Sequence, residues 1–113
     1  MRKVTTFTAH IYVGLKHRPT GIVYGLDVAR KIIQEYVDAA GLCVTLTPTE
    51  YIYTNGGEPG FIVGLINYPR FPSTPEQIAA HAMDLGKRLR KACRQFKVSI
   101  VFPETTIMLG SCK

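Results

Sequence analysis

The residue pattern predicts an α+β fold in which elements follow one another as strand, helix, strand, strand, helix, strand. Three observations carry this. Residues 42–70, LCVTLTPTEYIYTNGGEPGFIVGLINYPR, hold two β-type runs around Asn55-Gly56-Gly57-Glu58-Pro59-Gly60. Asn-Gly and Gly-Gly supply the positive φ that tight hairpin turns need. Two segments with apolar residues at helical spacing bracket this hairpin, at 27–40 and 75–95, and an alternating strand lies outside each, at 4–15 and 97–109.

In the first strand Phe7, Ala9, Ile11, Val13 and Leu15 fall on one face, and Thr6, Thr8, His10 and Tyr12 on the other. Period two with one apolar face is the signature of an antiparallel sheet covered on one side. Residues 16–26 then form a loop punctuated by Pro19 and Gly21, longer than most connections, and loops of that length often carry function. Asp27 is placed to cap a helix that reaches Ala40. Its stripe is Val28, Ile32, Ile33, Tyr36, Val37 and Ala40, and Gly41 ends it in the left-handed conformation.

Within the hairpin, Pro48 has no N–H for a ladder, so its strand is expected at a sheet edge. The second hairpin strand is apolar on both faces, with Phe61, Val63 and Leu65 on one and Ile62 and Ile66 on the other, and belongs in the sheet interior. Thr74, Pro75 and Gln77 spell a capping box with proline at the first helical position. Gly86 sits inside the second helix, where it costs about 1 kcal/mol relative to alanine. The last strand has Val98, Ile100 and Phe102 on one face and Pro103 at its middle, a second edge signal.

This order is that of the ferredoxin-like βαββαβ sandwich: a four-stranded antiparallel sheet with both helices on one face. A chain of 113 residues, 46% of them hydrophobic, suits one such domain spanning 1–113. No apolar run approaches the roughly 18–20 residues that span a bilayer. Met1-Arg2-Lys3 leads into alternating residues rather than an apolar stretch, so no membrane association and a cytoplasmic setting are expected. Cys43, Cys93 and Cys112 are an odd set without close spacing, which argues against a disulfide framework or a zinc site. Cys112 is expected to be exposed. His10, His17 and His81 are scattered, and neither a metal nor a cofactor is expected.

The charge is informative about partners. Fourteen Lys and Arg oppose eight Asp and Glu, a net charge of +6, which favours anions. The topology brings the 16–26 loop, the hairpin turn and the Gln95–Lys97 connection to one end of the sheet. Lys16, His17 and Arg18 there, with Arg94 and Lys97, would make a phosphate-sized site; the plainer reading is a solvated basic loop. Tyr51, Tyr53 and Asn55 add aromatic and polar groups, with either tyrosine able to stack on a base. Neither a Walker motif nor a dinucleotide fingerprint is present. Glu58 and His17 are the acid–base candidates, and no triad accompanies them.

Lys87, Arg88, Arg90, Lys91 and Arg94 form an exposed basic face on the second helix. It is either a solvated surface or a contact for nucleic-acid phosphates. The sheet face without helices carries His10, Tyr12, Thr45, Thr47, Tyr51, Ile62 and Ile66, too apolar for an ordinary wet face. A homodimer or larger homo-oligomer closing on that face is the plain explanation. Gly60-Phe61-Ile62-Val63-Gly64 only superficially matches an RNA-recognition strand, because it lacks the leading basic residue.

The stretch EYVDAAGLCVTLTPTEYIYTNGGEPGFIVGLINYPRFP, with Gly41-Leu42-Cys43-Val44 and Gly64-Leu65-Ile66-Asn67-Tyr68-Pro69-Arg70 as its motifs, resembles small proteins encoded by bacteriophages and prophages. The resemblance carries no catalytic residues. It implies a context in which such proteins bind a host target or sequester cyclic nucleotides of antiviral signalling. With the charge, it leads to the expectation of a non-enzymatic protein that captures an anionic ligand, a cyclic nucleotide of host antiviral defence first among them. The alternatives are an inhibitor that binds a host protein through the open sheet face, a small enzyme acting on a nucleotide or related metabolite, and a nucleic-acid-binding module.

Overall fold

A computed structural model describes residues 1–110. Five strands form one antiparallel sheet: β1 (Thr8–Gly14), β4 (Val44–Tyr53), β5 (Gly56–Ile66), β6 (Lys97–Val101) and β7 (Thr106–Gly110), in the spatial order β4-β5-β1-β6-β7. Two short strands, β2 (Lys16–His17) and β3 (Ile22–Val23), pair as a separate ribbon. The helices are α1 (Leu26–Ala40) and α2 (Pro75–Ala92). The first four strands of the large sheet keep the ferredoxin-like arrangement, with β1 and β5 central and β4 at an edge as Pro48 requires.

Three details depart from expectation. The last strand is two strands. Pro103 lies in the reversal between β6 and β7, where Phe102 N–H donates to the Thr105 carbonyl at 2.7 Å. A residue without an N–H and with a fixed φ suits a turn better than a ladder, so the sheet gains a fifth strand and β6 is not an edge. The hairpin turn is also tighter than six residues. Tyr53 pairs with Gly56, Asn55 takes the positive φ of 63°, and Gly56–Gly60 belong to the strand. Finally, Asp27 is not the cap of α1. Gly25 occupies that place without a side-chain bond, and Asp27 sits in the first turn, where its charge complements the helix dipole.

The start of α2 and the end of α1 follow their sequence signals. Thr74 Oγ1 accepts from Gln77 N–H at 3.1 Å, and Gln77 Oε1 accepts from Thr74 N–H at 2.9 Å, completing the capping box. Gly41 adopts φ 73° and its N–H donates to Val37 O.

The core lies between the helices and one sheet face. Ala9, Ile11 and Val13 of β1, Phe61 and Val63 of β5, and Ile100 of β6 are fully buried, and α2 covers them with Ala82, Leu85 and Leu89. A methyl group on Gly86 would lie 2.9 Å from Ile100 Cδ1, so glycine there lets α2 approach the sheet closely. Cys93 is buried in the same layer, and burial pushes its thiol up to about 11, which keeps it protonated and unreactive. Cys43 is exposed, and Cys112 lies outside the described residues. No helix among the described residues is long and apolar enough to cross a membrane.

The opposite sheet face carries no helix. Tyr12 pairs with Ile62 and Ser99, Ile62 with Thr47, and Ser99 with Met108, so one row of side chains crosses all five strands. Ile66 is 52% exposed and Met108 61%.

Candidate functional site

At one end of the open sheet face lies a cleft of about 320 Å³, within the roughly 300–1,000 Å³ of small-molecule sites. β1 supplies Tyr12 and Gly14, β6 supplies Lys97 and Ser99, the β4–β5 hairpin supplies Tyr51 and Glu58, the ribbon supplies Lys16 and Arg18, and the α2–β6 connection supplies Arg94, Gln95 and Phe96. The three segments expected at one end of the sheet do meet there. Leu15 N–H donates to Pro59 O at 3.0 Å, and Gln95 Nε2 donates to the carbonyls of Lys16 and Cys93, each at 3.0 Å.

Among the described residues, Glu58 is the one carboxylate that lines the cleft. Its side chain is only 9% exposed. Oε2 accepts from Lys16 N–H at 3.3 Å, and Oε1 lies 3.9 Å from Arg18 Nη2. These two contacts give the enclosed carboxylate hydrogen-bonding and cationic partners in place of some of the water it has lost. The neighbouring backbone makes room for it. A methyl group on Gly14 would lie 2.8 Å from both Glu58 Oε2 and Gln95 Oε1, so a side chain on that strand position would displace the carboxylate.

Tyr51 forms part of the floor. Its ring lies across Gly60, and its hydroxyl can donate to Phe61 O at 2.9 Å or Val13 O at 3.1 Å. These bonds hold the ring flat on the sheet. Burial pushes its phenol from 10 up to about 12. Between those values the unfolded chain gives up a proton that the folded chain keeps, so Tyr51 should lower stability as pH rises through that window. In an ultraviolet-monitored titration one tyrosine should ionise near the top of this range, and Tyr51→Phe should remove that step. A titration unchanged by the substitution would contradict the assignment.

Arg94 has a left-handed backbone, φ 52°, directly after the end of α2. Its Nη1 donates to the Tyr24 hydroxyl at 3.3 Å, tying the α2–β6 connection to the segment before α1. α2 stops at Ala92 rather than at Gln95, and this early end frees Gln95 to reach Lys16.

Of the residues singled out from the sequence, Lys16, Arg18, Tyr51, Glu58, Arg94 and Lys97 line the cleft. His17, Tyr53 and Asn55 do not. His17 is buried, and its Nδ1 pairs with Thr20 Oγ1 at 2.9 Å within the ribbon turn, so it holds the loop instead of meeting Glu58. Tyr53 stands outside, with the Arg18 guanidinium 5.8 Å from its ring centroid. Asn55 is carried away by the tight turn, three strand residues beyond Glu58, or about 10 Å at the rise of a strand. Sequence reasoning missed Tyr12, Gly14, Gln95, Phe96 and Ser99 as cleft residues. Strand alternation does place Tyr12, Gly14 and Ser99 on the open face, but nothing in the order of residues says that the cleft forms above them. Among the described residues no group of three or more His, Cys, Asp or Glu gathers to hold a metal.

No protein-family model and no curated protein matches the chain. Solved structures do. A phage SAM lyase in complex with S-methyl-5'-thioadenosine superposes with a TM-score of 0.69 at 17% identity, over 98% of this chain and 95% of that one. A phage SAM lyase in the apo state superposes with a TM-score of 0.73 at 19% identity, over 100% and 97%. At such identity the likeness shows a shared fold, and it extends over nearly the whole of each chain. These neighbours overturn the expectation of a non-enzymatic protein that captures a cyclic nucleotide. Among the alternatives, what these structures are named for agrees with the small enzyme acting on a nucleotide or related metabolite.

Proposed function

We propose that this chain is a phage-encoded cytoplasmic enzyme that cleaves an S-adenosyl sulfonium, S-adenosylmethionine first, and releases S-methyl-5'-thioadenosine. The observation that carries this reading is the enclosed carboxylate of Glu58 in a cleft of small-molecule size, on a fold shared with phage SAM lyases. A sulfonium sulfur bears a full positive charge. When its bond to the amino-acid side chain breaks, the electron pair passes to sulfur and a neutral thioether leaves. A reaction that loses charge gains from a site with little water, and Tyr12, Tyr51 and Phe96 supply aromatic walls beside the carboxylate.

Glu58 is the group placed to face the cationic end of such a substrate, with Arg18 its partner until the substrate arrives. In a lyase no water is added, so the carbon that loses sulfur forms its new bond within the substrate: either to an oxygen of the substrate's own carboxylate, closing a lactone, or to the adjacent carbon as a double bond, that carbon giving its proton to a base. Glu58 acts there as base or as a fixed negative charge, and Tyr51 and Tyr12 offer faces on which an adenine can lie. The exposed apolar side chains of the open face, Ile66 and Met108, suit the homo-oligomer expected from the sequence. Incubation of the purified protein with S-adenosylmethionine should yield S-methyl-5'-thioadenosine, read by chromatography against an authentic standard. Recovery of unchanged substrate at high enzyme concentration would contradict the reading.

A further inference from the structure

The cleft holds more positive charge than an S-adenosyl sulfonium needs. Among the described residues, Lys16, Arg18, Arg94 and Lys97 line it against the single carboxylate of Glu58. S-adenosylmethionine brings two cationic centres, its sulfonium and its ammonium, and one anion, its α-carboxylate. Of the four protein cations, Arg18 is engaged with Glu58 at 3.9 Å and lies over Tyr53. Arg94, in the α2–β6 connection, and Lys97, the first residue of β6, both line the cleft. Arg94 is held there in a backbone conformation unfavourable to an arginine, φ 52°, with one end of its guanidinium on the Tyr24 hydroxyl. This conformation closes the end of α2, with Arg94 N–H donating to Lys91 O at 3.2 Å and Gln95 N–H to Arg90 O at 2.9 Å, and it fixes where the side chain starts. The planar fork still has donors left for a carboxylate.

We propose that Arg94 and Lys97 bind the α-carboxylate of the substrate. The enzyme then selects S-adenosyl compounds whose tail ends in an α-amino acid and rejects those whose tail ends in a bare amine. Glu58 takes the cationic side of the same tail, so the ligand lies between opposite charges. This inference rests on the functional reading above.

The test uses two unreactive sulfides, S-adenosylhomocysteine and its decarboxylated counterpart, measured by calorimetry on the same protein preparations. The wild-type chain should bind the carboxylated sulfide about tenfold or more tightly, the scale of a charge-assisted contact. Arg94→Asn keeps a residue that tolerates the left-handed backbone, and Lys97→Gln keeps most of the side-chain length. Together they should bring the ratio of the two affinities close to one. Because the ratio is taken within each preparation, a loss of folded protein does not alter it. A wild-type ratio near one, or a ratio preserved in the double variant, would overturn the proposal. If neither sulfide binds while S-methyl-5'-thioadenosine is still released from the sulfonium, the carboxylate assignment alone falls. If no release is seen either, the functional reading falls and takes this one with it.

Discussion

Glu58→Gln should lower turnover of S-adenosylmethionine by about 10²–10⁴-fold, the range expected for loss of an acid–base or charge-stabilising carboxylate. The substitution is nearly isosteric. The amide oxygen still accepts from Lys16 N–H, and the space above Gly14 stays filled. What is lost is the charge. Arg18 loses its ion-pair partner, but its side chain is 67% exposed and the pair is 3.9 Å apart, so solvent screens most of the consequence for stability. The melting temperature should therefore stay close to that of the wild type while the rate collapses. Arg18→Gln should leave more activity than Glu58→Gln. Glu58→Gln within about tenfold of wild-type turnover would remove Glu58 from the chemistry, since even a modest acid–base role exceeds that.

Gly60→Ala should destabilise the fold by about 3 kcal/mol, the upper part of the range for forcing a group into filled space. A Cβ on Gly60 would collide both with the Tyr51 ring and with the Val13 carbonyl oxygen. The ring cannot simply move away, because its hydroxyl is bound to backbone carbonyls of β1 and β5. The carbonyl belongs to β1, the central strand, whose inward residues are fully buried. Urea unfolding should show the midpoint falling without a change in slope. Combining Gly60→Ala with Tyr51→Ala should recover part of the loss, as expected for residues in contact. Additive effects would mean that the ring does not confine the strand. The same close approach shapes the cleft, since Gly60 lets Tyr51 lie flat as its floor.

Much of this scaffold was readable from residues near one another in the chain. Alternation in β1, the capping box at Thr74, Gly41 after α1 and Pro48 on an edge each act through a few neighbours, and each has its expected place. The misplacements also have local causes. Six turn-type residues in a row hide how many of them pair, and here Asn55 alone takes the left-handed conformation while Gly56–Gly60 extend the strand. Pro103 signals an interruption, but not whether the chain then bends outward or returns as β7.

The cleft was harder to read. Its residues come from five separate stretches, around 12–18, 51, 58, 94–97 and 99. Only tertiary contacts such as Gln95 with Lys16 bring them together. The abundant cations pointed towards anionic ligands, whereas the feature that suggests chemistry is one carboxylate whose enclosure no motif announces. His17 shows the converse, a residue suited to catalysis by type that the ribbon turn consumes.

The most direct test follows the methyl group of S-adenosylmethionine by nuclear magnetic resonance, with the label on the sulfonium methyl. With the wild-type protein, the sulfonium signal should be replaced one for one by the thioether methyl signal of S-methyl-5'-thioadenosine. With Glu58→Gln the sulfonium signal should persist over the same period. A sulfonium signal untouched by the wild-type protein, or lost equally fast with Glu58→Gln, would contradict cleavage at this cleft.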